Sequence, residues 1–349
     1  MNYMGIDHHK QYSHMTVVDE KGKIIKTDHV LNRRREVEEF LEGCKEGLIA
    51  VIEAGRATYT MLDLLEELGV DVKMAHPLQV KAIAQAKIKT DKRDSKILAH
   101  LLRADLIPEV YRRDPENRAT QRILRHRMGY VRMQTQIKNR IRTLLAKQQE
   151  EIREMAESEN HLFGIRGMET LRQLKLPGKD NEMLESLIMT YGHVQRRIKQ
   201  SNALVKEVYD SCEEARLIST IPGFGKFFSV LVATEIADIG RFASAAKLHS
   251  YAGVIPSTHA SGEKSYHGKL VKQGNKWLRW AVVEAVWPAM RADFDVRVFY
   301  LKYAKRKGAN PAKIAVARRL LTIIYRVLTE KRTYIPYKRE HKRLPSCLN

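Results

Sequence analysis

What this 349-residue chain lacks narrows its nature first. It has no run of about 18 apolar residues, so no membrane-spanning helix is expected. Its first ten residues, MNYMGIDHHK, contain no apolar signal core, so no secretory leader is expected. Only three cysteines occur, Cys44, Cys212 and Cys347. They lie too far apart for a zinc spacing or a disulfide framework, which points to a reducing cytoplasm. No internal repeat is visible. Acidic residues are scarce in two places. Residues 112–147 carry 11 basic side chains against Asp114 and Glu116, and residues 301–349 carry 14 against Glu330 and Glu340.

The chain is nonetheless built to fold. Apolar residues make up 44% of it, enough to exclude a disordered chain, and its length allows two or three domains. The net charge of +21 is unevenly spread. Residues 1–111 hold 17 basic and 18 acidic side chains, a balance of −1, whereas the remainder holds 45 and 23, a balance of +22. A structured basic field of that size attracts polyanions, nucleic acid foremost; a solvated basic surface or an anionic lipid surface are the competing readings.

The pattern along the chain predicts an α/β region followed by an all-α one. Residues 2–30 read as a β-meander: YMGID is short and apolar, SHMTVVDE alternates, DEKGK turns, and KIIKTDHVL alternates again. A helix at 33–44, a buried strand at 47–54, an amphipathic helix at 58–69, a strand at 70–77 and helices at 78–86 and 92–104 follow. That order fits a mixed sheet with its antiparallel meander at one side. Residues 117–160 read as one long basic helix and 181–216 as a second, with a Gly/Pro-punctuated link between them; the pair predicts an antiparallel helical arm, or else a plain bundle. From Leu217 to about residue 329 the chain reads as mainly helical, and its tail as irregular.

Four carboxylates stand out. Asp7 ends the first strand and Glu53 the fourth, while Asp91 and Asp94 open a helix three residues apart, on one face. Acids at neighbouring strand ends can converge, and four hard oxygen donors without a Cys or His pair favour Mg²⁺ or Mn²⁺. Such ions can clamp a phosphodiester. Each acid also has a plain reading, as turn former, helix cap, dipole partner or ion-pair member. Asp105 and Glu109 read as surface residues, and His8 and His9, flanking Asp7, as bystanders.

The C-terminal third holds two polar motifs. IPGFGKFFSVLVATEI resembles the turn of a helix-hairpin-helix element, in which Gly223 and Gly225, followed by Lys226, bring backbone N–H groups to a phosphate; an ordinary glycine-rich connector reads equally well. In YAGVIPSTHASGEKSYHGKLVKQGNKWLRWAV, Ser261 precedes Gly262 on an expected tight turn. Lys264, His267, Lys269, Lys272 and Arg279 can neutralise phosphate, and Asn275 reads as the cap of a helix. On chemistry alone Ser261 is a turn residue before it is a nucleophile, and no His/Asp pair at fixed spacing identifies an activating group.

GIDHHK, VIEAG and TDKRDSKILAHLLRADLIPEVY, followed by the stretch from IPGFGKFF to NKWLRWAV, together resemble the DEDD insertion-sequence transposases, the family numbered one hundred and ten. The likeness covers nearly the whole chain. It implies an RNase H fold like that of Holliday-junction resolvases over residues 1–112, with Asp7, Glu53, Asp91 and Asp94 as a metal-binding tetrad. It implies a basic, coiled-coil-like arm over 113–216, a transposase domain over 217–335 with Ser261 as nucleophile, and a basic tail over 336–349. It further implies a guiding noncoding RNA that pairs with target and donor DNA, and dimers that pair into tetramers with active sites shared between subunits. The rival reading is a Mg²⁺-dependent nuclease or junction resolvase in which Ser261 is structural.

Overall fold

A computed structural model describes residues 1–55, 57–84, 90–158, 161–261, 264–270 and 273–336, with the backbone alone for 156–158, 258–261 and 264–269. The chain divides into two compact units, Met1–Arg113 and Asp114–Asn349.

The first unit is a mixed α/β sheet. Its strands are β1 (Asn2–His8), β2 (Tyr12–Val18), β3 (Ile24–Leu31), β4 (Leu48–Glu53) and β5 (Asp71–Ala75). Helices α1 (Arg34–Leu41), α2 (Thr58–Glu67), α3 (Pro77–Ala84) and α4 (Asp91–Arg103) complete it. The sheet order is β3-β2-β1-β4-β5. The meander β1–β2–β3 is antiparallel, and β1, β4 and β5 run parallel. Element order and meander agree with the sequence pattern.

The two-residue period of the strands assigns the faces. Met4, Ile6, Met15, Val17, Ala50 and Ile52 are buried against Val37, Phe40 and Leu41 of α1 and Met61, Leu62 and Leu65 of α2. The alternate residues carry Gly5, Asp7, Val51 and Glu53 to the opposite face, where Val51 packs with Leu98 and Leu102 of α4. Helix α4 crosses β1 at Gly5 with no side chain between. A Cβ there would lie 2.0 Å from the Ser95 carbonyl oxygen and 2.4 Å from the Ala99 nitrogen. The crossing is also tied by polar groups: the buried Ser95 hydroxyl meets Thr16 Oγ1 at 2.8 Å and His14 Nδ1 at 3.0 Å.

The second unit is mostly helical. It contains α5 (Pro115–Leu145), α6 (Glu150–Ser158), α7 (Ile165–Gln173), α8 (Lys179–Ser211), α9 (Glu213–Ser219), α10 (Lys226–Ile236) and α11 (Ala245–Ala252). A hairpin of β6 (Pro256–Ser261) and β7 (Lys264–Leu270) interrupts the helices, and α12 (Lys276–Glu284), α13 (Val286–Ala292), α14 (Phe294–Lys307) and α15 (Ala309–Thr329) follow. Helices α5 and α8 run antiparallel, because Arg127 reaches Asn202 and Gln148 reaches Asp180. Their far ends share a core of their own, Ile137, Ile141, Leu144 and Leu145 against Leu184, Tyr191 and Val194. One expectation is corrected. The basic helix does not run on to 160: α5 stops at Leu145, and the acids Glu150 and Glu151 open a new helix. The region after Leu217 is mainly helical as expected, with residues 256–270 pairing as a hairpin that the sequence reading did not mark.

Candidate active site

At the C-terminal ends of the parallel strands, Ile6 of β1 sits beside Ile52 of β4, and one residue further Asp7, next to last in β1, and Glu53, last in β4, lie on the α4 face. Helix α4 begins at the same edge. Thr90 caps it, its hydroxyl accepting from the Arg93 N–H at 3.3 Å, which places Asp91 and Asp94 in the first turn. Because no side chain separates α4 from β1 at Gly5, this turn lies close beside Asp7.

His9 completes the cluster. Its Nε2 lies 3.4 Å from Asp7 Oδ2 and 3.2 Å from Asp91 Oδ2. The ligand atoms of Asp7, His9 and Asp91 all fall within 4.8 Å of one another. The turn carrying His9 is held firmly: its N–H donates to the Tyr12 carbonyl at 2.9 Å, and its carbonyl accepts from Asn32 Nδ2 at 2.8 Å. The Tyr12 hydroxyl donates to Asp91 Oδ2 at 3.1 Å, while its ring stacks on His29. Sequence reasoning set His9 aside and passed over Tyr12. The only signal was position, two and five residues beyond a strand-end acid, where a tight turn brings side chains back over the strand end.

The electrostatics suit a cation. Burial pushes the Asp7 carboxyl above the ordinary carboxylate range; the His9 imidazole draws it back, and the charges of Asp91 and Asp94 push it up again. His9 Nε2 is shielded from solvent yet makes a well-formed hydrogen bond to neither carboxylate. A buried carboxyl raised by neighbouring acids, beside a poorly satisfied buried nitrogen, is what a divalent ion would relieve. The donor set therefore fits one, with Asp7, Asp91 and His9 as the residues that could hold it. Glu53 and Asp94 stand at the same edge, half-buried.

In the second unit, Ser261 is the last residue of β6 and pairs with Lys264 across the end of the hairpin; Lys269 lies on β7. Gly262 and Lys272 lie outside the described residues. The chain beyond the hairpin is anchored by polar groups. Gly274 passes so close to Gly253 that a Cβ would lie 2.4 Å from the Gly253 nitrogen. Asn275 caps α12 as its sequence suggested, Oδ1 accepting from the Trp277 and Leu278 N–H groups at 3.0 Å, and its Nδ2 donates to Glu235 Oε2 at 2.7 Å. Glu235, fully buried on α10, pairs with Arg125 of α5, whose guanidinium stacks 3.7 Å above Trp277. Trp280 packs edge-on against Trp277, and Trp287 follows on α13. Glu235 was not foreseen, because it sits in the apolar run VLVATEI and its partner is 110 residues away.

The glycine-rich turn before α10 divides its labour. Gly223 has φ +98° and a Cβ there would lie 2.5 Å from the Ala285 carbonyl, so only glycine fits. Gly225 stands at the exposed N-terminus of α10 in extended backbone, next to the exposed Lys226. Arg279 donates to the Ala252 carbonyl at 3.2 Å, tying α12 to the end of α11.

A sheet edge bearing clustered carboxylates, in one chain with a basic helical unit, fits the class of enzymes that act on nucleic acid. Two family models match the chain: residues 4–148 match a transposase model of the DEDD IS110 type, and residues 215–301 match the transposase model of the IS116/IS110/IS902 family. The transposase for insertion sequence element IS1111A of Coxiella burnetii is 25% identical over 95% of this chain and 90% of its own length. The transposase for IS1328 of Yersinia enterocolitica is 23% identical over 94% and 96%. The pilin gene-inverting protein of Moraxella bovis is 36% identical over 34% of this chain and 38% of its own length. The chain belongs to the IS110 family of insertion-sequence transposases, and is a DNA transposase/recombinase. No helix among the described residues is long and apolar enough to cross a membrane.

Proposed function

We propose that this transposase exchanges DNA strands through a covalent phosphoserine at Ser261, with a divalent ion held by the acids of an RNase H-like sheet. The observation that carries the reading is the meeting of Asp7, His9 and Asp91 within 4.8 Å at the end of parallel strands, in a chain whose second half bears a serine-tipped hairpin. The sheet order, with β2 alone opposed to both its neighbours, supports the RNase H likeness. Mg²⁺ or Mn²⁺ suits the two hard oxygens, and the imidazole nitrogen favours the transition-metal member of that pair. When bound, the ion supplies charge to a phosphate in transit. Glu53 and Asp94, at the same edge, complete the ligand set.

In the proposed reaction the Ser261 hydroxyl oxygen attacks phosphorus, forming a serine–phosphate ester. One strand oxygen leaves as a hydroxyl, taking up the proton that serine gives. A hydroxyl of the incoming strand then attacks the ester, and serine recovers its proton. Bond count is conserved, so rejoining needs no external energy source. Gly223, Gly225 and Lys226, with Lys264, Lys269, Lys272 and Arg279, contribute to backbone binding of DNA. The +22 on residues 112–349 supports a second polyanion, a structured guide RNA that supplies sequence choice by pairing and leaves backbone contacts to the protein. Dimers pairing into tetramers would bring two DNA partners together. The Moraxella relative's name, a gene-inverting protein, is in keeping with recombination rather than simple cutting.

The test is to trap the adduct. A nicked substrate that strands the intermediate should yield a protease-resistant phosphopeptide spanning residue 261, and Ser261→Ala should lose both adduct and strand exchange while still binding DNA. Normal recombination by Ser261→Ala, or an adduct on another residue, would leave the hydrolytic nuclease reading as the better one. Sequencing the RNA that copurifies tests guidance: a single RNA species encoded beside the gene is expected, and random cellular RNA with nuclease-insensitive recombination would remove that element.

A further inference from the structure

Within the helical unit, α14, α15 and the chain after α15 line an open cleft of about 630 Å³, within the usual ~300–1,000 Å³ range of small-ligand pockets. Part of its lining is aromatic: the rings of Phe299 and Tyr303, one turn apart on α14, lie 4.9 Å from each other. Part is cationic. Arg318, Arg319 and Arg326 of α15 all line it, and Arg318, Thr322 and Arg326 recur at helical spacing along one stripe.

These arginines are not simply solvated. Arg318 and Arg319 are half-buried, and none of the three has an ion pair among the described residues. The Arg319 guanidinium lies 5.0 Å from the Phe299 ring centre, stacked rather than paired. One acid, Asp295, lines the same cleft, so its charged lining remains cationic. The polar lining is held in place as well. Tyr334 hydrogen-bonds through its hydroxyl to the buried Asp293 and through its N–H to Thr220 Oγ1 at 2.8 Å, which ties down the lining residues 334–335. His249 Nε2 meets Thr322 Oγ1 at 3.1 Å, and both line the cleft.

Guanidiniums without an ion pair among the described residues, beside a tilted aromatic pair, suit a ligand with an anionic group and a flat π surface a few ångströms apart. A nucleotide has both. A duplex hides its base faces in the stack, so the fitting form is single-stranded. We propose that this cleft seats one unstacked nucleotide of a single-stranded nucleic acid, its base on Phe299 and Tyr303 and its phosphates on Arg318, Arg319 and Arg326. The inference rests on the reading of this protein as one that handles nucleic acid, and adds to it a site for unpaired strand lined by residues outside the serine hairpin.

The test uses the full-length protein and a fluorescent single-stranded decamer, titrated by anisotropy at high enough salt to suppress general backbone attraction, with 5-iodouridine at the central position for photocrosslinking. Phe299→Leu should weaken binding roughly five- to a hundredfold, the range of one base–aromatic stack, and Phe299→Trp should restore it. Arg319→Gln should weaken it about tenfold and Arg319→Lys less. An abasic decamer should bind wild type no better than the normal decamer binds Phe299→Leu. Crosslinks should fall on residues 299–303 or 334. Equal binding of normal and abasic strands, or unaltered affinity in Phe299→Leu with an unchanged circular dichroism spectrum, would overturn the cleft while leaving the recombinase reading standing. So would a change of oligomeric state in these variants without loss of strand binding, which would assign the cleft to a second copy of the chain. Absence of any nucleic-acid binding by wild type would instead sink the underlying reading.

Discussion

The two units of this transposase use charge in opposite ways. The sheet unit is nearly neutral overall, yet it gathers acids at one strand end until burial and mutual repulsion raise the Asp7 pKa. The helical unit is strongly basic, yet its deepest charge is a carboxylate, Glu235, held by Arg125 and Asn275. Net charge thus describes what each surface attracts, whereas local burial decides what each charge does. In the first unit repulsion is tolerated where a cation can relieve it; in the second a buried acid joins three separate elements, α5, α10 and the start of α12.

That contrast can be broken at four points. The largest effect belongs to the sheet-end acids. Asp7→Asn or Asp91→Asn should lower recombination roughly a thousandfold, since a bound cation supplies several kcal/mol of transition-state stabilisation, while circular dichroism stays unchanged. Asp7→Asn should also raise the melting temperature of the metal-free protein, because it removes a desolvated charge and its repulsion, and should abolish any further rise on adding Mn²⁺. A lower melting temperature without metal would mean that Asp7 is a structural ion-pair partner instead. Next, Glu235→Ala strands Arg125 and should cost about 3–5 kcal/mol in denaturant unfolding followed by tryptophan fluorescence; a cost under about 1 kcal/mol would show the pair to be dispensable.

The third point is Gly5→Ala, which forces α4 away from β1. It should cost about 3 kcal/mol and weaken Mn²⁺ binding in the same variant, coupling helix packing to the site. Loss of stability with Mn²⁺ affinity intact would uncouple them. The smallest effect is that of Tyr12→Phe. It removes one hydrogen bond to Asp91 and should weaken Mn²⁺ binding by calorimetry about tenfold, the lower end for a group that orients a ligand. No change would make Tyr12 a bystander.

What the sequence reveals follows from how local each determinant is. The element order, the meander and the positions of Asp7 and Glu53 near strand ends could be read because alternation and strand termination are local signals. The same holds for Asn275, whose cap lies within three residues. His9 could not be read as part of the cluster, because its approach depends on a turn fixed by Asn32, 23 residues away. The end of α5 at Leu145 was obscured by a helical pattern that resumes after a four-residue gap. The hairpin of residues 256–270 lay in a stretch whose polarity drew more notice than its alternation. Glu235 and the arginine-lined cleft depend on partners tens of residues away or more, and no period in the sequence marks them.

The three tryptophans of the chain, Trp277, Trp280 and Trp287, all fall on α12 and α13. The sheet unit has none. Intrinsic fluorescence is therefore a private reporter of the helical unit, and the guanidinium stacked on Trp277 makes it responsive to the Glu235 pair. Tyrosine and far-ultraviolet signals report on both units. A melt followed by the two kinds of probe would separate the loosening of one unit from that of the other without a label or a truncation. Quenching on addition of DNA would tell which half of the molecule feels the strand first.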